Sequence, residues 1–366
     1  YCFFGVFLGT AVGVLPGIGA LAAISLLLPM TYHMSPTAAI VMLAGVYYGA
    51  QYGGSTASIL MNLPGGPAAA VTCLDGYPMA KKGKAGIALF ITTIASLFGA
   101  MFGLALLILF SPTIAEVGLK FGPAELFAMM VMGLVAASSM GSGSPVKGLA
   151  MMVMGVLLGM VGTDVNSGAA RYTMDVPELM DGINLVALAM GLFGVSEVVR
   201  GIHGQDDAKK VEKVTLRSMI PAKQEMNRGY PAMFRGSVIG SALGALPGVG
   251  PSIAAFMAYA VEKKVAKRPE EFGHGAVQGI SAPESANNAA AQTAFVPSLS
   301  LGIPGDAVMA IMLGALIIHG IQPGPTLINE QPEMFWGLVV SFAIGNIMLV
   351  LLNIPTIGIW VSLLRI

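Results

Sequence analysis

Two clusters of small polar residues stand out in a chain with little other polar chemistry. The first runs Tyr52-Gly53-Gly54-Ser55-Thr56-Ala57-Ser58 and continues to Asn62-Leu63-Pro64-Gly65-Gly66-Pro67. The second is Ser281-Ala282-Pro283-Glu284-Ser285-Ala286-Asn287-Asn288, followed by Leu301-Gly302-Ile303-Pro304-Gly305-Asp306. A buried amide is costly unless hydrogen-bonded, so adjacent Asn287 and Asn288 in an alanine-rich apolar stretch point to a coordinated site. The competing reading is a structural polar network between helices. Hydroxyls, amides and backbone groups freed by Pro-Gly pairs can hold an anion through their donors or a hard cation through their oxygens. On this reading Ser55, Thr56, Asn62, Ser285, Asn287 and Asn288 bind substrate or ion, and Pro64-Gly65 and Pro304-Gly305 shape the backbone. Neutral oxygens outnumber titratable groups here, which favours Na⁺ over H⁺ and places a cation near Asn62, Asn287 and Asn288. Glu284 is the candidate coupling acid. Asp306 and Asp75 are the other acids near the clusters, and Asp75 reads better as a loop cap.

The elements that must position these residues carry a repeat. Residues 5–23 read GVFLGTAVGVLPGIGALAA and residues 236–254 read GSVIGSALGALPGVGPSIA. Gly5, Gly9, Gly13 and Gly17 fall four apart, as do Gly236, Gly240, Gly244 and Gly248, so each set forms one helix face. A glycine face allows very close helix approach in lipid. Proline then removes a donor and glycine lets the chain leave helical angles. Pro16, Gly17 and Gly19, with Pro247, Gly248 and Gly250, are therefore expected to break helices and form a site or its moving element. Irregular backbone at membrane depth must face protein, water, an ion or substrate.

The composition is that of a membrane protein. Hydrophobic residues make up 55% and charged residues 10%, and mean hydropathy is +0.78; soluble domains carry about 25% charge. Clear crossings are expected at Gly86–Phe110, Pro123–Ala137, Gly148–Val161 and Ile183–Val199. Less regular apolar stretches around them raise the expectation to ten or more segments, some discontinuous or re-entrant. Basic loops at 81–84, 141–147 and 200–230 alternate with neutral or acidic ones, which puts the basic loops in the cytoplasm. The expected fold is an all-α polytopic membrane protein with two related halves, by preference inverted repeats. Residues 1–199 form the first repeat with its connecting helices, 200–232 a polar cytoplasmic linker, and 233–366 the second repeat. The chain opens in an apolar stretch at Tyr1 and ends in another, so a fragment is expected and counts of spans are lower bounds.

Other function classes find no support. Net charge is zero, which gives no electrostatic case for nucleic acid. Cys2 and Cys73 form no ligand cluster or disulfide framework. His33, His203, His274 and His319 lack metal-site spacing, and His319 reads best as a helix-end hydrogen-bond partner. There is no GxxxxGK[ST] loop and no GxSxG elbow with a triad, so neither ATP hydrolysis nor another enzyme activity is expected, and no cofactor. Lys and Arg are concentrated in the loops, so an anion at the membrane centre would be held by helix N-termini and neutral donors, with a bound cation supplying charge. A channel and a membrane scaffold are the rival classes to a carrier.

The long strings are more specific than any Pro-Gly pair. GTAVGVLPGIG at 9–19, YGGSTASILMNLPGGPAAAVTCLDGYPMAKKGKAG at 52–86, GSALGALPGVGPSIAAF at 240–256, APESANNAAAQTAFVPSLSLGIPGD at 282–306 and LGALIIHGIQPGP at 313–325 resemble the large membrane subunit, TctA, of bacterial tripartite tricarboxylate transporters. The resemblance spans almost the whole chain. It implies secondary uptake of a tricarboxylate such as citrate, or of another carboxylate, across the bacterial inner membrane. It also implies a small membrane subunit, TctB, a periplasmic solute-binding protein, TctC, and a Na⁺ or H⁺ gradient as driving force.

Overall fold

The computed structural model describes residues 1–363 except 16–17, 121, 123, 126, 129–130, 132–143, 164–168, 175, 181, 184–187, 189–190, 192–194, 196–198 and 200–213. The described residues are largely helical, with one short antiparallel pair between Gly162–Thr163 and Ala170–Arg171. In the first part of the chain the helices are α1 (Cys2–Val14), α2 (Gly19–Leu27), α3 (Pro36–Met61), α4 (Ala70–Lys81), α5 (Ala85–Gly118) and α6 (Pro145–Gly159). In the second they are α7 (Lys223–Gly244), α8 (Gly250–Val265), α9 (Val277–Thr293), α10 (Phe295–Leu301), α11 (Ala307–Ile318), α12 (Leu327–Glu330), α13 (Pro332–Asn353) and α14 (Ile357–Leu363). Proline opens α3, α6 and α13, where its missing N–H has no intrahelical partner to lose.

Among the described residues, two helices are long and apolar enough to cross a membrane. Ala85–Val117 has mean hydropathy 2.3 and Pro332–Asn353 has 2.2, and about 20 apolar residues suffice for a span. The first contains the expected crossing Gly86–Phe110. The expected crossing at Gly148–Val161 becomes α6, a shorter apolar helix. Those at Pro123–Ala137 and Ile183–Val199 lie largely outside the described residues. Helix α7 begins at Lys223, within the stretch read as a linker.

Lipid tails give apolar helices no hydrophobic reason to associate, so close packing has to come from small residues. A Cβ on Gly5, Gly9 or Gly13 of α1 would lie 2.3, 2.4 or 2.4 Å from the carbonyl oxygens of Met42, Val46 and Ala50 in α3. From α3, Gly45, Gly49 and Gly53 press back on α1 in the same way. The second ladder repeats the contact. A Cβ on Gly236 or Gly240 of α7 would lie 2.2 or 2.1 Å from the carbonyls of Ala282 and Ala286 in α9, and one on Gly244 would lie 2.5 Å from Ala290. Helix α9 is gripped on another face by α5, where a Cβ on Gly99 would lie 2.0 Å from the Ser285 carbonyl and one on Gly103 2.6 Å from that of Ala289. Along each of these pairs the contacts advance together, so the paired helices run parallel.

The two packed sets run in opposite directions. Ile40 to Tyr48 of α3 share a core with Ala291 to Leu299 of α9 and α10, while Ile59 and Leu60 at the other end of α3 share one with Val277 and Ile280. The start of α3 thus lies level with the end of α9. The basic edge collects at one end: Lys84 pairs with Glu225 at 2.8 Å, Lys82 donates to the His274 carbonyl at 2.6 Å, and Arg228 and Arg268 both meet Glu271. Residues 81–84, 214–230 and 268–274 therefore lie together. Partial burial raises the Glu225 carboxyl, but hydrogen bonds from Lys84 and the Ala222 N–H outweigh it and hold the group below the ordinary glutamate value. Hydrogen bonds from Arg268, with Arg228 nearby, lower Glu271 likewise.

Candidate functional site

The helix interruptions converge on one cavity of about 510 Å³. Helix α1 ends at Val14 and α2 starts at Gly19; Pro16 and Gly17 themselves lie outside the described residues. The second interruption runs through Pro247 to Val249, with Gly248 at φ 81° and Gly250 at φ 65°. Both α3 and α10 end in a left-handed residue, Asn62 at φ 59° and Gly302 at φ 72°, followed by Leu63-Pro64-Gly65-Gly66 and Ile303-Pro304-Gly305-Asp306. Gly65 has room for nothing larger: a Cβ there would lie 2.1 Å from the Gly13 carbonyl and 2.6 Å from Gly54 Cα. The Gly248 N–H donates to the Gly305 carbonyl at 3.0 Å and ties the two breaks of the second half together.

The cavity wall includes Gly19 and Ala20 at the start of α2, Pro67 to Ala69 in the 3₁₀ turn entering α4, Gly250 to Ser252 of α8, and Ala307 and Val308 of α11. Four helix N-terminal turns thus meet around one space. First-turn N–H groups lack intrahelical acceptors and carry the positive end of the helix dipole. Among the described lining residues there is no Lys, Arg or His. Side-chain polarity comes from Tyr47, Gln51, Ser252 and Asp306. Asp306 caps α11, accepting from the Met309 N–H at 2.7 Å through Oδ1, and Tyr47 donates to its Oδ2 at 2.7 Å. Tyr47 and Gln51 are the contributors missed in the sequence; their signal is a tyrosine and a glutamine four apart within an apolar run.

A second polar centre lies inside the packed helices. Glu284 of α9 is fully buried. Thr72 of α4 donates to its Oε1, and Ser96 of α5 donates to Oε2 at 3.2 Å. Asn287 donates to Oε2 at 3.4 Å; Asn288 donates to the Glu284 carbonyl at 3.0 Å and to Asn287 Oδ1. The Ser55 hydroxyl of α3 also lies beside the Glu284 carboxylate, yet makes no hydrogen bond of acceptable geometry. Asn288 Oδ1 is likewise buried without a partner. No described basic side chain pairs with Glu284.

The expected site residues are therefore divided. Ser55, Glu284, Asn287 and Asn288 come together, and Thr56 is buried beside Ser55. Pro64-Gly65, Pro304-Gly305, Gly19, Gly248 and Gly250 belong to the breaks around the cavity. Asn62 stands apart, exposed at its αL cap, a position that Asn and Gly tolerate best. Ser285 turns its hydroxyl to the Ala282 carbonyl, on the face packed by Gly236. The polar clusters are not themselves breaks: 52–58 lies within α3 and 281–288 within α9, which continues through Pro283. Flanking glycine contacts hold α9 helical despite that proline, and Ser281, Asn288 and Thr293 spend hydrogen bonds on carbonyls one turn back. Asp75 does not cap a local loop, because 74–78 lies within α4; it caps a distant one instead. Its Oδ1 accepts from the N–H groups of Gly273, Gly275 and Ala276 at 2.8–2.9 Å, and Tyr259 donates to Oδ2 at 3.0 Å. His319 ends α11 and meets the Thr31 hydroxyl at 3.2 Å.

Comparison with known proteins places this architecture. An uncharacterized 52.8 kDa protein in the TAR-I ttuC' 3' region of Agrobacterium vitis is 50% identical over 366 residues, covering 100% of this chain and 73% of the relative. An uncharacterized protein in the TAR-II ttuC' 3' region of the same organism is 58% identical over 127 residues, 35% of this chain and 52% of that relative. No solved structure matches significantly. The profile of the "Tripartite tricarboxylate transporter TctA family" matches residues 1–366. Glycine ladders, paired breaks and full-length match agree: the chain belongs to the TctA family of tripartite tricarboxylate transporters, whose members are membrane transport subunits and not enzymes.

Proposed function

We propose that this chain is the carrier subunit that moves a carboxylate, a tricarboxylate such as citrate in the first instance, across the bacterial inner membrane by alternating access. It works with a small membrane subunit, TctB, and receives substrate from a periplasmic binding protein, TctC. A cation gradient, Na⁺ before H⁺, drives uptake. The observation that carries the reading is the 510 Å³ cavity at which four helix N-terminal turns converge. Such an arrangement favours carboxylate groups through N–H donors and dipoles without committing a buried cationic side chain. Gln51, Ser252 and the Tyr47 hydroxyl supply further polar contacts.

We read the two halves as inverted repeats. In support, the glycine contacts of α1 with α3 recur between α7 and α9, and α3 and α9 run in opposite directions. In that arrangement the breaks of one half form the lids of the other, and rocking of one set opens the cavity to alternate sides.

The test is uptake by vesicles that contain all three subunits. Saturable, gradient-dependent accumulation of labelled citrate is expected, abolished without the binding protein. Passive flux through this subunit, indifferent to a cation gradient, would instead make it a channel. Accumulation of a different carboxylate with citrate excluded would keep the mechanism and change the substrate.

A further inference from the structure

We propose that the polar centre around Glu284 binds one dehydrated monovalent cation of sodium's size, with ligands supplied jointly by both halves. Its use in transport rests on the carrier reading above; its ability to bind does not. The ligand set is the Glu284 carboxylate of α9, the hydroxyls of Ser55, Thr72 and Ser96 from α3, α4 and α5, and the amide oxygens of Asn287 and Asn288.

Three observations argue for an ion. First, the carboxylate is fully buried and all its hydrogen-bond partners are neutral. An uncompensated charge in such a place costs several kcal/mol even when hydrogen-bonded, and one monovalent cation balances it. Second, Ser55 and Asn288 are 3% and 1% exposed, yet Ser55 Oγ and Asn288 Oδ1 have no partner. Buried oxygens left idle, that of Ser55 beside the Glu284 carboxylate, are lone pairs available to a cation. Third, every donor is a hard oxygen, and hydroxyls can rotate to present lone pairs. Among the described residues no group of three or more His, Cys, Asp or Glu is suited to a transition metal. A divalent ion of the Ca²⁺ type takes 6–8 oxygens, usually with several carboxylates, and this centre has one carboxylate.

The site spans the molecule. Ser55, Thr72 and Ser96 belong to the first half, Glu284 and the amides to the second. A cation here would tie the halves together through side chains, separately from the backbone-lined cavity.

The experiment uses the purified transporter in lipid nanodiscs, without carboxylate or binding protein. ²²Na⁺ binding is measured at equilibrium, and thermal unfolding is followed as NaCl replaces choline chloride at constant ionic strength. Saturable binding and a rise in unfolding temperature with Na⁺ but not choline are expected. Glu284→Gln should abolish both. Ser55→Ala and Thr72→Val should each weaken Na⁺ affinity about tenfold or more, equivalent to about 1.4 kcal/mol, while Thr72→Ser restores it. Should Glu284→Gln fail to fold, the Ser55 and Thr72 series decides. Absence of ²²Na⁺ binding to folded wild-type protein, or binding unchanged in Ser55→Ala and Thr72→Val, overturns the proposal in favour of a protonated carboxyl or a purely structural network. Loss of citrate uptake with Na⁺ binding intact would sink the carboxylate reading and leave this site standing.

Discussion

Helices α3 and α9 occupy matching places and carry opposite chemistry. Gly9 meets Val46 on α3 as Gly240 meets Ala286 on α9. One and two residues further along, α3 has Tyr47 and Tyr48 where α9 has Asn287 and Asn288. Tyr47 reaches the acid of the break loop, Asp306, at the cavity wall; Asn287 reaches Glu284 in the closed interior. Repeated backbone contact fixes where the helices lie. The side chains beside that contact are free to diverge, so one helix helps form an open cavity and the other an enclosed polar centre. The glycines differ in the same sense. The α1–α3 contact has glycine on both sides, whereas α9 presents alanine to α7 and backbone to Gly99 and Gly103 of α5.

The most severe way to break this parallel is to fill the glycine contacts. Gly240→Val and Gly9→Val should both abolish the folded carrier, because a Cβ would lie 2.1 and 2.4 Å from backbone oxygen that cannot move cheaply. The cost should exceed about 4 kcal/mol, in the range reserved for gross overpacking. Gly155→Ala is the control: nothing lies within 4 Å of its Cβ, so helix propensity should add about 0.5–1 kcal/mol. Yield of monodisperse protein and its unfolding temperature are the readouts. If Gly9→Val folds and Gly240→Val does not, the two contacts are not energetically equivalent.

Next in size is the tie between α4 and the start of α9. Asp75→Ala would orphan three backbone donors, that of Ala276 buried and those of Gly273 and Gly275 less so, and the Tyr259 hydroxyl. A loss of about 2–3 kcal/mol is expected. Asp75→Asn keeps an acceptor and should lose less than half as much. Equal losses in thermal unfolding would mean that charge, not hydrogen-bond acceptance, holds the loop.

A milder pair separates the cavity from the enclosed centre. Tyr47→Phe removes the bond to Asp306, a change of about 1 kcal/mol, and should raise KM for citrate uptake roughly fivefold at unchanged Na⁺ dependence. Asn287→Ala should shift the Na⁺ dependence of uptake first. Identical effects of both substitutions on both readouts would merge the two regions into one site.

How much of this could be read in the sequence follows from range. The glycine ladders and Pro-Gly breaks are local patterns with local causes, so the helix ends near 15–19 and 245–250 lie where the residues predict. Asn287 and Asn288 announce a buried polar centre because two adjacent amides in an alanine run need partners. The partners themselves, Thr72 and Ser96, are single hydroxyls in apolar stretches and look like ordinary packing; only the packing of α4 and α5 against α9 brings them to Glu284. The same holds for Tyr47, whose partner Asp306 is 259 residues away. Asn62 shows the local side of the same point: its exposed αL position ends α3 and sets it apart from Asn287 and Asn288.

The smallest effect concerns the basic edge at one end of the helices. Glu225 accepts from Lys84 at 2.8 Å and from the Ala222 N–H at 2.9 Å, and its pKa is held below the ordinary glutamate value of about 4.3 despite partial burial. A lowered native pKa means that the unfolded state binds the proton more readily. The stabilisation is therefore fully present above the unfolded value and is lost as the pH falls through the lowered native one. Lys84 is half exposed, so solvent screens the pair and the contribution should be no more than about 0.5–1 kcal/mol. Lys84→Met should flatten the acid side of the stability curve by that amount and leave stability above pH 7 within a few tenths of a kcal/mol of the difference expected for an exposed ion pair. Raising the salt concentration should shrink the wild-type effect, because exposed charges are screened within about 8–10 Å at 0.1–0.15 M ionic strength. Unfolding in urea between pH 3 and pH 7 measures both. A curve unaltered by Lys84→Met would assign the acid sensitivity to the Glu271 pairs with Arg228 and Arg268, whose carboxylate is lowered as well, and would leave the Lys84 contact with no measurable part in holding α5 against α7.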